Sequence, residues 1–293
     1  MRLLIFSLLF FLVGTSSTLG RDLTEGIQFG GLQRTYRVHL PKKFDGRRKW
    51  PVVIVFHGFA NDSLSMEELT GFDAIADREK FLVVYPDGVS RHWSFGESRD
   101  AVDDVGFTLA LLARMRAKFF ADPRRTYAVG ISNGGFLVLT LACQHPEQFA
   151  AVATVAATFS QQQAKTCKPS RPVPIALIHG ELDRLIPFGG GLTADGLSLL
   201  SVPDTVKRWA VLNNCENQPY VEQLPRRVQD GTAVQQTRFL KCRGATQVHF
   251  YEIGGGGHTW PGSTKNLPIL AVGKASQNIK ASEVLWQFFR SFP

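Results

Sequence analysis

Between Thr126 and Cys143 the sequence hands a short β-favouring run to an apolar helix across Gly130-Ile131-Ser132-Asn133-Gly134. Thr126-Tyr127-Ala128-Val129 favours a strand, and Phe136 to Cys143 is apolar and free of Pro and Gly. Strand, turn and helix in this order constrain the chain more than its composition does. The turn is tight enough that only Gly fits at its flanks, and the serine hydroxyl is left exposed above a sheet. A bare G-x-S-x-G recurs by chance in Gly-rich chains, so the flanking pattern carries the signal.

The same alternation runs along the rest of the chain. Thr35 to Leu40 alternates as a half-exposed strand, while Pro51 to Phe56 and Phe81 to Tyr85 read as buried ones. Ala150 to Ala156, Pro174 to Ile178 and Val248 to Ile253 add three more. Helical patterns fill the gaps at Met66 to Arg78, Val102 to Phe119, Gly135 to Cys143, Pro203 to Leu212 and Ala281 to Phe289. This predicts an α/β fold, a mostly parallel sheet with helices on both faces.

Arg2 precedes an apolar run from Leu3 to Val13, and small residues follow to Gly20. Eleven residues are too few to span a bilayer, so 1–20 reads as a signal peptide cleaved before Arg21 and 21–293 as one domain without a linker or repeat. An exported product and no membrane association after cleavage follow. Four cysteines in such a chain suggest two disulfides. Spacing offers Cys215-Cys242 and Cys143-Cys167, although sequence alone allows three connectivities and Cys143 also suits a buried free thiol.

Cleavage would remove Arg2 and no acid, taking the formal charge from +8 to +7. The basic residues fall in scattered pairs such as Lys42-Lys43, Arg124-Arg125 and Arg226-Arg227, without an aromatic-interleaved stripe. A solvated surface is expected, with attraction to acidic polysaccharide as the minority reading, and no nucleic acid. No H-E-x-x-H, C-x-x-C or P-loop occurs, so no metal and no cofactor are expected. No feature points to an obligate protein partner. Asn61-Asp62-Ser63 matches the N-glycosylation pattern.

Parallel sheets present their chemistry at the carboxyl ends of strands. Those ends carry His57-Gly58-Phe59, Ser132, His179-Gly180-Glu181-Leu182-Asp183, and Gly254 to Gly257 followed by His258. Ser132 is the candidate nucleophile, Asp183 the acid and His258 the base, and their order along the chain is that of α/β-hydrolases. Glu181 and Asp195 compete with Asp183 for the acid role. Asp103 and Asp104 head an amphipathic helix and read as a cap and a dipole complement. His57 belongs to the turn whose Phe59 amide, with that of Asn133, is placed to form an oxyanion hole. His179 is expected to pack under the acid loop. Trp260, two residues past His258, is a tentative substrate contact, with a core anchor equally in view.

With these residues in place, the chain resembles a secreted esterase family that groups feruloyl and acetylxylan esterases with polyhydroxybutyrate-depolymerase-like enzymes. The resemblance rests on Phe56-His57-Gly58, Tyr85-Pro86-Asp87-Gly88, Asp103 to Phe107, Gly130 to Gly135, His179-Gly180 with Asp183, Cys215, Cys242, and Gly255 to Gly262. It implies an α/β-hydrolase fold and a serine esterase with nucleophile Ser132, acid Asp183 and base His258. Two departures, Glu181-Leu182 before the acid and Ile186-Pro187-Phe188 after it, are expected to reshape the pocket wall.

Only 51 positions separate Ser132 from Asp183, which leaves no room for a lid domain. An open site suits esters of feruloyl or acetyl groups on plant cell-wall polysaccharide, with xylan degradation as the setting. Hydrolysis of polyhydroxybutyrate-like polyesters or oligoesters is the alternative, and a hydrolase-fold protein that only binds a partner is the rival from another class.

Overall fold

The computed structural model describes residues 20–96, 102–265 and 269–293. All of the expected leader except Gly20 therefore lies outside the described residues. Strands β1 (Arg21–Phe29), β2 (Leu32–Leu40) and β3 (Trp50–Phe56) lead into α1 (Ser63–Thr70), α2 (Phe72–Glu79) and β4 (Leu82–Pro86). Then come α3 (Asp104–Phe119), β5 (Ala121–Ile131), α4 (Asn133–Gln144), β6 (Ala151–Val155), α5 (Gln161–Thr166) and β7 (Ile175–Gly180). A small hairpin of β8 (Gly191–Leu192) and β9 (Ser198–Leu199) precedes α6 (Val202–Leu212), β10 (Tyr220–Gln223) and β11 (Ala233–Phe239). The chain ends with β12 (Val248–Gly254), α7 (Ile269–Val272) and α8 (Ala281–Phe289).

Ten strands form one sheet in the order β1-β2-β4-β3-β5-β6-β7-β12-β11-β10. The six from β4 to β12 are parallel, and an antiparallel pair completes each side. Period-two alternation splits the apolar side chains between two cores. Val52, Ile54, Phe56, Leu82, Val84, Leu177 and Phe250 point to the face covered by α3, α4 and α6. Val53, Val55, Val83, Tyr85, Ile178 and Ile253 point to the face covered by α1, α2 and α8. The continuous apolar runs of the sequence arise because both faces are dry.

The helix expected over Met66 to Arg78 is two. Gly71 sits at φ 60° between α1 and α2 and donates its N–H to Glu67 O at 3.0 Å. A left-handed residue there ends one helix and starts the next in a new direction. Both expected disulfides are present among the described residues: Cys143–Cys167 ties α4 to the end of α5, and Cys215–Cys242 ties the end of α6 to the segment between β11 and β12. In the chain-entropy account the second, which closes 27 residues, stabilises the fold by about 3–4 kcal/mol. No described helix is long and apolar enough to cross a membrane.

Beside the first hairpin, His39 of β2 is clasped by carboxylates from two elements. Its Nδ1 lies 2.6 Å from Asp22 and 3.7 Å from Asp73, and its Nε2 lies 3.3 Å from Asp77. Burial opposes the imidazolium, but Asp73, Asp22 and Asp77 outweigh it and lift His39 above the usual histidine range. A histidine lifted by folding stabilises the fold fully below its unfolded value and loses that contribution as pH rises through the folded one. Asp73, pushed up to about 6 chiefly by burial, loses its contribution in the same direction but at lower pH. The melting temperature should therefore fall as pH rises above about 6.5, and His39→Gln should flatten that slope. Identical slopes in the two proteins, followed by circular dichroism, would assign the pH dependence to other groups.

Candidate active site

Ser132 occupies a turn that few non-glycine residues tolerate, at φ 54° and ψ −122°. Such a conformation costs about 1–3 kcal/mol and holds only where the surroundings enforce it. Here the serine N–H bonds Val155 O at 2.9 Å, and its carbonyl accepts from Gly135 and Phe136 at 2.8 and 3.1 Å as the first turn of α4. A Cβ on Gly130 would lie 2.3 Å from Gly134 backbone, and one on Gly134 would lie 2.5 Å from His57 O. The glycines flanking the serine are thus a steric requirement of the turn. The side chain is left at the carboxyl end of β5, the sheet's central strand.

Two loops away, Asp183 follows β7 and His258 follows β12, adjacent parallel strands that bring residues 75 positions apart into contact. His258 Nδ1 stands 2.8 Å from Asp183 Oδ2, which fixes the proton on Nδ1 and leaves Nε2 with a lone pair. The carboxylate is itself held: Oδ1 accepts the N–H groups of Leu185 and Ile186 at 2.9 and 2.8 Å. His179 Nε2 lies 3.4 Å from Oδ2 while donating to Ile186 O at 2.9 Å. Burial lowers the His179 pKa, so it packs as a neutral ring beneath the acid. The two loops approach closely because β7 ends in Gly180, where a Cβ would meet Gly257 O at 2.4 Å.

On the other side of Ser132 lies a polar network that the sequence reading did not assemble. His57 Nε2 accepts from Gly88 N–H at 2.9 Å, so the ring carries its proton on Nδ1, which donates to Gly58 O at 2.7 Å. Burial holds its pKa down, and its part is to latch the Phe59 loop onto the Asp87-Gly88 turn. Asn133 clamps the backbone of Trp93 through its side chain, accepting from the N–H at 2.6 Å and donating to the carbonyl at 2.9 Å. Trp93 Nε1 donates in turn to His57 O at 2.9 Å. Behind them Asp104 accepts from Ser94 N–H at 2.8 Å and pairs with Arg34 at 2.6 Å. The segments that carry the Phe59 and Asn133 amides are thus joined through one tryptophan, by its backbone to Asn133 and by its indole to His57.

Asp103 caps α3 by accepting from Gly106 N–H at 2.7 Å, but Asp104 is more than a dipole complement. It is 1% exposed and is the counter-charge of an Arg34 that is itself 3% exposed. Burial pushes the Asp104 carboxyl up, against the pull of Ser94 N–H and Arg34. Removing one partner of such a pair strands the other charge in the interior. Asp104→Ala should accordingly cost about 3–5 kcal/mol in denaturant unfolding. A loss under about 1 kcal/mol would mean that Arg34 finds water. The only hint in the sequence was an Asp-Asp pair where a single cap suffices.

Ser132 and His258 line the same open cleft of about 520 Å³, walled by Phe59, Leu64, Leu69, Ile131 and Leu185. Among the described residues no hydrogen bond yet joins Ser132 Oγ to His258, a looseness usual before substrate binds. Several expectations are corrected here. Trp260 is absent from the cleft wall: it is 1% exposed, sits edge-on to Phe72 at 6.2 Å, and donates from Nε1 to Ser282 Oγ at 3.0 Å. An indole buried against Phe72 of α2 and bonded through its N–H to Ser282 of α8 belongs to the core between those helices. Nor do the two departures from the family pattern wall the cleft. Leu182 is exposed beyond it, and Ile186 packs with Phe136 and Leu199. Glu181 and Asp195 are exposed, and it is the buried Asp183 that pairs with His258. No helical insertion covers the cleft among the described residues.

Comparison with known proteins agrees with this geometry. A family model described as "Putative esterase" matches residues 30–267. The chain is 28% identical over 295 residues to the "Putative esterase NocK" of Nocardia uniformis subsp. tsuyamanensis, covering 94% of this chain and 83% of that one. It is 27% identical over 231 residues to feruloyl esterase B of Piromyces equi, covering 75% of this chain but only 42% of that longer protein. An acetyl xylan esterase structure from Aspergillus awamori superposes with a TM-score of 0.62 over 91% of this chain and 98% of that one at 15% identity, a likeness of fold. The family match covers most of the sequence, so the chain belongs to this esterase family and is a carboxylic-ester hydrolase with an α/β-hydrolase fold.

Proposed function

We propose that the protein is an exported serine esterase that releases feruloyl or acetyl groups from plant cell-wall polysaccharide. Ser132 Oγ attacks the ester carbonyl while His258 Nε2 takes its proton, and Asp183 holds the imidazole and offsets its charge. The Phe59 and Asn133 amides receive the oxyanion. Collapse of the tetrahedral intermediate breaks the bond to the alcohol, which leaves with the proton from His258. Water then attacks the acyl-enzyme with the same histidine as base, and the acid departs as Ser132 is regenerated. Every group needed is a side chain or amide of this chain.

One observation carries the reading: a serine on a strained turn and a histidine fixed by a buried carboxylate share one open, apolar-walled cleft. An unlidded cleft of this kind suits an acyl group whose alcohol is part of a bulky polymer, and the feruloyl esterase named among the relatives supports that class. The two disulfides fit an oxidising compartment. The test is turnover of methyl ferulate, acetylated xylan, hydroxybutyrate oligomers and short nitrophenyl esters by one purified sample. Turnover of hydroxybutyrate oligomers alone would transfer the protein to the polyester class, and no turnover of any ester would leave a binding protein.

Phe59 takes the place of Trp260 as the aromatic candidate for substrate contact. Its ring is 70% exposed at the cleft while its backbone is held by the His57 latch. Stacking on a planar acyl group contributes about 0.5–1.5 kcal/mol, so Phe59→Ala should lower kcat/KM for methyl ferulate by roughly two- to tenfold. Nitrophenyl acetate, whose acyl group is too small to reach the ring, should be affected far less. Equal losses on both substrates would instead point to a disturbed oxyanion loop.

A further inference from the structure

Five basic residues from separate parts of the sequence line one groove of the fold. At the foot of the sheet, opposite the Ser132 end, the start of β3, the end of α2, the first half of β5 and the end of α8 surround a groove of about 370 Å³. Arg48, Lys49, Lys80, Arg125 and Arg290 line it with Glu79 as the one acidic side chain in the lining, while Asp45 beside Arg48 and Asp122 beside Arg125 and Lys49 lie just outside it. Glu79 is engaged by Arg78 at 3.1 Å and Arg290 at 3.3 Å, and Arg125 is engaged by Asp122 at 2.8 Å. Among the described residues no carboxylate closes a salt bridge with Arg48, Lys49 or Lys80, and all three are exposed. The Arg48 guanidinium lies over the Trp50 ring at 4.2 Å, which orders it in advance of any partner. Several like charges around a concavity raise the local potential and concentrate a counter-charge there.

We infer that this groove binds a linear polyanion bearing carboxylates, a uronic-acid-containing polysaccharide. Guanidinium forks match carboxylates two bonds at a time, and Arg48, flanked by the Lys49 and Lys80 ammonium groups, offers one that no carboxylate among the described residues holds in a salt bridge. The groove's aromatic floor of Trp50, Tyr127 and Trp286 is buried and offers no exposed ring on which a nucleic-acid base would stack. None of its lining residues is an exposed large hydrophobic group of the kind that enters a membrane surface. The choice of a polysaccharide rests on the proposal that the ester substrate is polysaccharide-linked. Since the groove and the cleft lie at opposite ends of the sheet, a polymer held at the foot leaves the cleft open. The enzyme stays on the matrix while its active site samples neighbouring chains.

The test is equilibrium binding of the full protein to polygalacturonate, with neutral arabinoxylan, single-stranded DNA and phosphatidylserine vesicles as comparators. The wild type should bind polygalacturonate at about 50 mM salt and weaken by roughly tenfold or more at about 300 mM, with no such effect on arabinoxylan. Arg48→Glu/Lys49→Glu/Lys80→Glu should lose at least roughly tenfold in affinity while hydrolysing nitrophenyl acetate at the wild-type rate and melting at the wild-type temperature. The inference falls if the wild type does not bind polygalacturonate, if the triple variant binds it equally well, or if DNA or vesicles bind more tightly. Binding is read without turnover, so failure of the ester panel and failure of this inference remain separate results.

Discussion

Ser132→Ala should reduce ester turnover by roughly 10⁴- to 10⁶-fold while leaving the melting temperature within a degree or so of wild type. The rate effect follows from chemistry: without Oγ there is no acyl-enzyme, and only the oxyanion amides and substrate binding remain. The fold is expected to survive because the bonds that hold the turn, from Ser132 N–H to Val155 O and from α4 to Ser132 O, are all backbone. Alanine keeps the same left-handed turn and removes no packed atom of consequence. The measurement is initial-rate hydrolysis of nitrophenyl acetate beside a circular-dichroism melt. Turnover within tenfold of wild type would remove Ser132 from the chemistry, and an unfolded variant would show that the hydroxyl supports the turn.

His258→Ala should be nearly as damaging, a loss of roughly 10⁴-fold or more, because both proton transfers pass through one imidazole. A merely structural histidine would behave differently. Its backbone N–H, which bonds Val272 O at 2.6 Å, is retained in alanine, and Asp183 keeps its bonds from the Leu185 and Ile186 amides. The discriminating experiment is the double variant. Residues that act as one unit give non-additive losses, so Ser132→Ala/His258→Ala should be no slower than the serine variant alone. Multiplicative losses would mean that the histidine works independently of the serine.

The sequence discloses what local patterns encode. β3, β4, β6 and β7 were legible because strands dry on both faces read as largely apolar runs, β12 because Val248, Phe250, Tyr251 and Ile253 stand out between half-buried His249 and Glu252, and α8 because its amphipathic period ends where the packing ends. β1 was missed because it lies at the edge and is mostly polar, with Arg21, Asp22 and Glu25 among its nine residues. The Gln- and Thr-bearing β11 was missed for a similar reason, since one covered side gives only a faint alternation. The residues placed at the site were legible because they sit at strand ends, and topology fixes where those ends meet. The Arg34-Asp104-Trp93-Asn133 network was not, because its members come from four segments and no local pattern links one segment to the next. Trp260 illustrates the converse: its nearness to His258 in sequence says nothing about which way the ring turns.

The conformation of Ser132 also bears on whether a chain of this kind has kept its chemistry. Glycine adopts φ 54°, ψ −122° without a Cβ penalty, so a descendant released from catalysis gains stability through a one-residue change to Gly at position 132. Drift therefore has a downhill route away from the nucleophile, and the same route lies open in any hydrolase scaffold reused only for binding. Position 132 is thus one that stability alone would give to glycine, and it is filled by a serine beside an imidazole and carboxylate in register.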